Sequence, residues 1–157
     1  MKVAIVHDWL TGLRGGERCL DVFLHIYPDA DVFTLIHVKG KTTNLIDSRV
    51  KGTSFLQKIP GISSFYRLLL PVYPLAINSI KLNSYDLVIS LSHAAAKNIK
   101  VPEGVPHICY CFTPMRYIWD QIDSYLGKLK IIAMPIVRYL REWDKKGAKK
   151  VTKFIAI

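Results

Sequence analysis

The chain has 157 residues, half of them hydrophobic, with 22 Lys and Arg against 12 Asp and Glu for a net charge of +10. That length makes one domain with a core of its own, and a mean hydropathy of +0.20 is apolar enough that part of the surface is expected to be covered. No apolar run reaches the roughly 18 residues of a membrane-spanning helix, and Met1 and Lys2 lead straight into a strand, so no signal peptide is expected.

The first strand is the apolar run Val3 to Val6, short and suited to burial on both faces of a parallel sheet. His7 and Asp8 stop it. A loop with Gly12, Gly15 and Gly16 follows, then Arg18 to Tyr27 sets Cys19, Val22, Phe23 and Ile26 at helical spacing. Glycines let a backbone approach a ligand, and a helix N-terminus offers unpaired N–H groups, so this unit suits an anionic or hydroxylated ligand. The dinucleotide fingerprint and the P-loop both require spacings that this loop lacks. A tight turn before Glu17 is the plainer alternative.

Pro28 and Asp29 turn the chain into a second strand, Asp31 to Ile36. Residues Lys39 to Ile62 are weakly patterned, with a short strand within Val50 to Phe55. Phe65 to Leu82 is an apolar helix that Pro71 and Pro74 should divide. Asp86 to Leu91 is a buried strand ending in Ser92 and His93; Val101 to Pro106 is a loop; His107 to Phe112 is a strand. Thr113 and Pro114 open a helix beginning at Met115. A long basic helix leads to a last strand, Lys153 to Ile157. Cys19, Cys109 and Cys111 are an odd set, read as reduced core residues of a cytoplasmic protein, with Cys109 and Cys111 expected on opposite faces.

Strands alternating with helices imply an α/β fold: a Rossmann-like, doubly wound, mostly parallel sheet with helices on both faces. Ligands bind such sheets beyond the carboxyl ends of the strands. Three strand ends therefore matter most: His7 to Glu17, Ser90 to His93 and Phe112 to Asp120. The charge concentrates elsewhere, in Lys128 to Lys153, where nine basic residues face only Glu142 and Asp144. That segment could lie on an anionic membrane or simply be a surface helix with solvated lysines. Nucleic acid is not expected as a partner, because the basic residues form one helix-like stretch without a reading motif.

HDWLTGLRGGER with its following helix and PDADVFTL, then DLVISLSHAAAKN and HICYCFTPMRYIWD, resemble the N-terminal domain of family-4 glycosyltransferases. The likeness is strongest to the bacterial group-1 enzymes of polysaccharide assembly, often mannosyltransferases, and covers nearly the whole chain. It implies one half of a GT-B architecture, with residues 1–157 as the acceptor-side domain and the nucleotide-sugar domain, with its paired glutamates, outside them. It implies transfer of a sugar from a nucleotide sugar to a saccharide or lipid-linked acceptor. The isolated chain is expected to be inactive.

Residue by residue, the resemblance makes Gly15 and Gly16 the glycine pair near the donor phosphate or acceptor, flanked by Arg14 and Glu17. It sets His93 beside the transferred sugar as the catalytic candidate, and Thr113, Arg116 and Tyr117 on the binding side. Phe112 stands where relatives commonly carry histidine. The chemistry agrees in kind: a leaving phosphate gains negative charge that helix N–H groups can stabilise, and a neutral His93 could accept from a sugar hydroxyl. The plainer role for His93 is a cap on a helix starting at Ala94, with Ser92 the better cap. Arg116, a cation in a first helical turn, would be unfavourable there without an anionic partner. Asp29 and Asp31 precede the second strand, at the wrong end of the sheet, so neither a catalytic metal nor another cofactor is expected. The alternative function is a non-catalytic module that binds a saccharide or a membrane surface. The expected location is the cytoplasm, with peripheral contact at the inner face of the cell membrane.

Overall fold

A computed structural model describes residues 1–120 and 130–156 of the chain. Six strands form one sheet: β1 (Val3–His7), β2 (Asp31–Thr34), β3 (Val50–Thr53), β4 (Leu87–Ser92), β5 (His107–Cys111) and β6 (Lys153–Ala156). Their order is β3-β2-β1-β4-β5-β6, and all five pairings are parallel. The chain winds outward from β1 to β3, returns to the other side of β1 and winds outward again to β6. This is a Rossmann-like doubly wound fold whose order reverses between β1 and β4.

Among the described residues five α-helices accompany the sheet: α1 (Gly15–Ile26), α2 (Asn44–Arg49), α3 (Ile62–Phe65), α4 (Tyr73–Ser79) and α5 (Lys130–Ala148). Alternation along the strands divides the core into two layers. Val3 and Ile5 pack with Leu20, Leu24, Ile46 and Ile89 on one side of the sheet. Ala4 and Val6 share the other with Tyr73, Ile77, Val137 and Leu140. So α1 and α2 cover one face, and α3, α4 and α5 the other. Among the described residues no helix is long and apolar enough to cross a membrane.

Several elements follow the local sequence closely. The prolines divide the apolar stretch into a 3-10 segment, Tyr66–Val72, which contains Pro71, and α4, which carries Pro74 in its first turn. The weakly patterned region holds α2, capped where the Thr43 hydroxyl accepts the Ile46 N–H at 3.2 Å. Three expectations are corrected. Helix α1 starts earlier and buries Leu20 and Leu24, one turn apart, while Val22 and Ile26 are exposed. Cys109 and Cys111 share a face, because residues two apart in a strand point the same way, and their thiols hydrogen-bond. No long helix starts at Ala94; the chain makes only a 3-10 turn, Ala96–Asn98. After Thr113 and Pro114, residues Met115 to Asp120 form one hydrogen-bonded turn. Its continuation, with Lys128, lies outside the described residues, as does Ile157.

Helix α5 is tied down by polar contacts beneath it. Buried Lys97 pairs with buried Asp144, whose other oxygen accepts the Trp119 indole N–H at 3.0 Å. The Arg141 Nε–H donates to the Ile118 carbonyl at 2.8 Å.

Candidate functional site

Because β1 and β4 are neighbours, Asp8 and His93, each one residue past its strand, meet at the reversal point of the sheet. Asp8 is fully buried. Its Oδ2 accepts the backbone N–H groups of His93 (2.7 Å) and Ala94 (2.9 Å), and its Oδ1 those of Ala95 (2.5 Å) and Ala96 (2.6 Å). The chain leaving β4 enters too short a turn to satisfy these donors itself, and a carboxylate from the adjacent strand receives all four. The small side chains of Ala94, Ala95 and Ala96 are fully buried, which lets the turn close over Asp8.

The same carboxylate reaches the His93 ring, Nδ1 to Oδ2 at 3.0 Å. Burial by itself would depress the His93 pKa, but the Asp8 charge and hydrogen bond outweigh it, and the pKa is raised above its ordinary value. Asp8 is correspondingly held far below the usual carboxylate range: burial opposes its ionisation, and the charge and hydrogen bonds of His93 prevail. Nδ1–H therefore faces Asp8, and Nε2 is left for a partner of its own, a donor when the ring is charged and an acceptor when it is neutral.

His7 is the complement. Its ring is fully buried, which lowers its pKa and keeps it neutral although Asp8 and Glu17 pull the other way. Nδ1 lies 3.0 Å from the Trp9 carbonyl and so carries the proton. Nε2 is left as a buried acceptor without a partner. It faces Gly16 in the first turn of α1: a Cβ added there would lie 3.1 Å from it. An unpartnered ring nitrogen and the N-terminus of a twelve-residue helix thus converge.

A cavity of about 540 Å³ opens here. Arg14, Gly15, Gly16, Glu17 and Cys19 form one wall, and Trp9, His93, Tyr110 and Phe112 the other. Glu17 is buried and accepts the Arg14 N–H at 3.0 Å, which fixes the entry to the helix. The Trp9 and His93 rings meet edge-on, with centroids 4.5 Å apart. Phe112 packs at 5.5 Å on Tyr110, and its N–H donates to the Ser92 carbonyl at 3.0 Å. One side of the cavity offers aromatic faces; the other offers helix N–H groups and a positive end.

Five of the eight residues singled out in the sequence, Arg14, Gly15, Gly16, Glu17 and His93, line this cavity. Thr113 is half-buried directly after Phe112, at its edge. Arg116 is exposed on the next turn and does not line it. Tyr117 faces a different, apolar cavity with Leu68, Ile118 and Val137. Sequence reasoning passed over His7, Asp8, Trp9 and Tyr110. The signal for Asp8 was a carboxylate directly after a wholly apolar strand, where burial is forced. Among the described residues no group of three or more His, Cys, Asp or Glu side chains is arranged to hold a metal ion. Comparison with family models, curated proteins and solved structures finds no match to this chain.

Proposed function

We propose that the chain is the acceptor-side half of a glycosyltransferase that, joined to a nucleotide-sugar domain, moves a sugar from a nucleotide-sugar donor to a saccharide or lipid-linked acceptor. The observation that carries this reading is the Asp8-held His93 sharing one cavity with the N-terminus of α1 at the reversal point of the sheet. In the reaction the anomeric carbon loses its bond to phosphate oxygen and gains one to the acceptor hydroxyl oxygen, whose proton passes to the departing phosphate. Negative charge grows on the phosphate, positive charge on the sugar ring.

Each part of the cavity suits a share of that change. The N–H groups at Gly15 and Gly16, with the positive end of α1, favour a phosphate oxygen or a sugar hydroxyl without a dedicated side chain. His93, whose Nδ1–H is held by Asp8, presents Nε2 to a sugar hydroxyl, as donor when the ring is charged and as acceptor when it is neutral. Trp9, Tyr110 and Phe112 supply the apolar faces on which sugar rings stack. Phe112 gives its position no polar contact, and His93 carries that duty. The reaction so read runs in the cytoplasm; a lipid-linked acceptor would bring the chain to the membrane face, where the basic surface of α5 suits anionic headgroups.

The test is an NMR titration of the labelled chain with short saccharides and with nucleotide sugars, alongside a turnover assay. Saccharides are expected to shift Gly15, Gly16 and the His93 ring, with the shifts lost in His93→Ala. No turnover of nucleotide sugar is expected until a donor domain is supplied. Turnover by the 157 residues alone would overturn the half-enzyme reading, and a cavity that responds to no saccharide would overturn the acceptor-side one.

A further inference from the structure

A second cavity, about 800 Å³, lies at the opposite end of the sheet and shares no lining residue with the first. Three segments enclose it, each leading into the amino end of a strand: residues 78–81 before β4, 97–105 before β5 and 143–150 before β6. Lys81, Lys97, Lys100, Lys146 and Lys150 line it, and no carboxylate does. Lys97 is matched by Asp144. Lys81 donates only to a neutral acceptor, the Asn78 carbonyl at 3.2 Å. Among the described residues neither it nor Lys100, Lys146 or Lys150 forms an ion pair.

The wall of this cavity also holds an unusual amide. Asn98 is 9% exposed, and both its Oδ1 and its Nδ2 are buried without a hydrogen-bond partner. It packs against α5 where Gly147 leaves room: a Cβ there would fall 1.4 Å from Asn98 Oδ1. A buried amide without partners is costly, and this one sits among unpaired cations. His107, also lining the cavity, adds no charge, since burial lowers its pKa to about 4.

Lysines at a helix C-terminus have an ordinary explanation in the helix dipole, and Lys146 and Lys150 alone would need no other. Lys81 and Lys100 come from different segments, beyond that helix. Four lysines from three segments thus line one cavity that no carboxylate lines, an arrangement that favours an anion. Lysine is a point-charge partner for phosphate, and a cavity this size admits more than a single phosphate group. We propose that this cavity binds a phosphate-bearing anion through Lys81, Lys100, Lys146 and Lys150. A soluble phosphate compound and a phospholipid headgroup present this same chemistry.

The chain is titrated calorimetrically with inorganic pyrophosphate, and in parallel sedimented with phosphatidylcholine vesicles with and without phosphatidic acid. Lys100→Ala/Lys146→Ala is compared with Lys39→Ala/Lys149→Ala, a double variant of equal net charge at exposed positions that do not line the cavity. Saturable pyrophosphate binding is expected, weakened about tenfold or more in the first variant, the scale of losing charge-assisted hydrogen bonds, and less than about twofold in the second. Phosphatidic acid vesicles that retain the chain, release it to pyrophosphate and fail to retain the first variant assign the ligand to a headgroup. Pyrophosphate binding without vesicle retention assigns it to a soluble compound. Equal weakening in both variants, or no saturable binding of either probe, overturns the proposal. No sugar enters the assay, so its result is independent of the reading of the first cavity.

Discussion

Asp8 answers four backbone donors and one imidazole with a single buried carboxylate. In Asp8→Asn one of its two oxygens becomes an NH2 group facing amide N–H donors, and the His93 ring loses its counter-charge. The expected loss is about 3 kcal/mol of stability, read from urea unfolding. The His93 ring proton, followed by NMR, is expected to titrate above 6.5 in the native chain and at a lower pH in Asp8→Asn, where only the charge of Glu17 still opposes burial. An unchanged midpoint would show that Asp8 is not the cause. The pH dependence has three parts. Asp8, depressed in the fold, stabilises fully above 3.8 and less as pH falls through its folded value. His7, depressed by burial, stabilises above 6.5 and less as pH falls below it. His93, raised, stabilises below 6.5, and that share disappears as pH rises through its folded value. Gly16 is the other sensitive residue. In Gly16→Ala the new methyl presses on a ring that the Trp9 carbonyl already holds, so a loss of about 1 to 3 kcal/mol is expected on denaturation, together with a shifted His7 signal.

At the scale of elements, α5 is held to the sheet by a buried ion pair as much as by its apolar stripe. Val137 and Leu140 enter the core, while Ile132, Ile136 and Tyr139 remain exposed. Lys97 comes from the 3-10 turn after β4, so its pairing with Asp144 joins the helix to the turn whose first amides Asp8 holds. Removing one partner strands the other charge in a buried setting. Asp144→Ala should cost about 3 to 5 kcal/mol, and it also deprives the Trp119 indole of its acceptor. Replacing both, Lys97→Met with Asp144→Leu, should cost much less than the two single losses added together. Denaturation of the four proteins tests this; additive losses would mean that the pair does not act as a unit.

For the whole molecule the dominant fact is charge. With 22 basic residues against 12 acidic ones, the folded chain repels itself, and part of that repulsion is gathered at the lysine-lined cavity. Screening shortens its reach to about 10 Å at 0.1 M salt. Thermal unfolding is therefore expected to move to higher temperature as sodium chloride rises from about 0.02 to 0.2 M. Pyrophosphate should exceed that gain at equal ionic strength if it occupies the cavity, because a ligand of the native state adds its own stabilisation. A melting temperature that fell with salt would show that the attractive pairs, such as Lys51 with Asp31, outweigh the repulsion.

Much of the fold was written locally. The runs at Val3 to Val6 and Asp86 to Leu91 could only be buried strands, and alternation with helices made the sheet parallel and doubly wound. That Gly15, Gly16 and His93 come together was legible because the loops that carry them leave the same end of the sheet, and they line one cavity. In α1 the stripe that packs on the core is Leu20, Phe23, Leu24 and Tyr27, itself at helical spacing; the reading from the sequence caught Phe23 but set Val22 and Ile26, which are exposed, in place of the leucines. The decisive chemistry was absent from any local stretch. Asp8 meets its acceptor duty 85 to 88 residues away, and the four unpaired lysines come from three segments that share only the end of a sheet. Burial lowers the His7 pKa and Asp8 raises that of His93; both depend on which strands become neighbours, and strand order is a property of the folded chain alone.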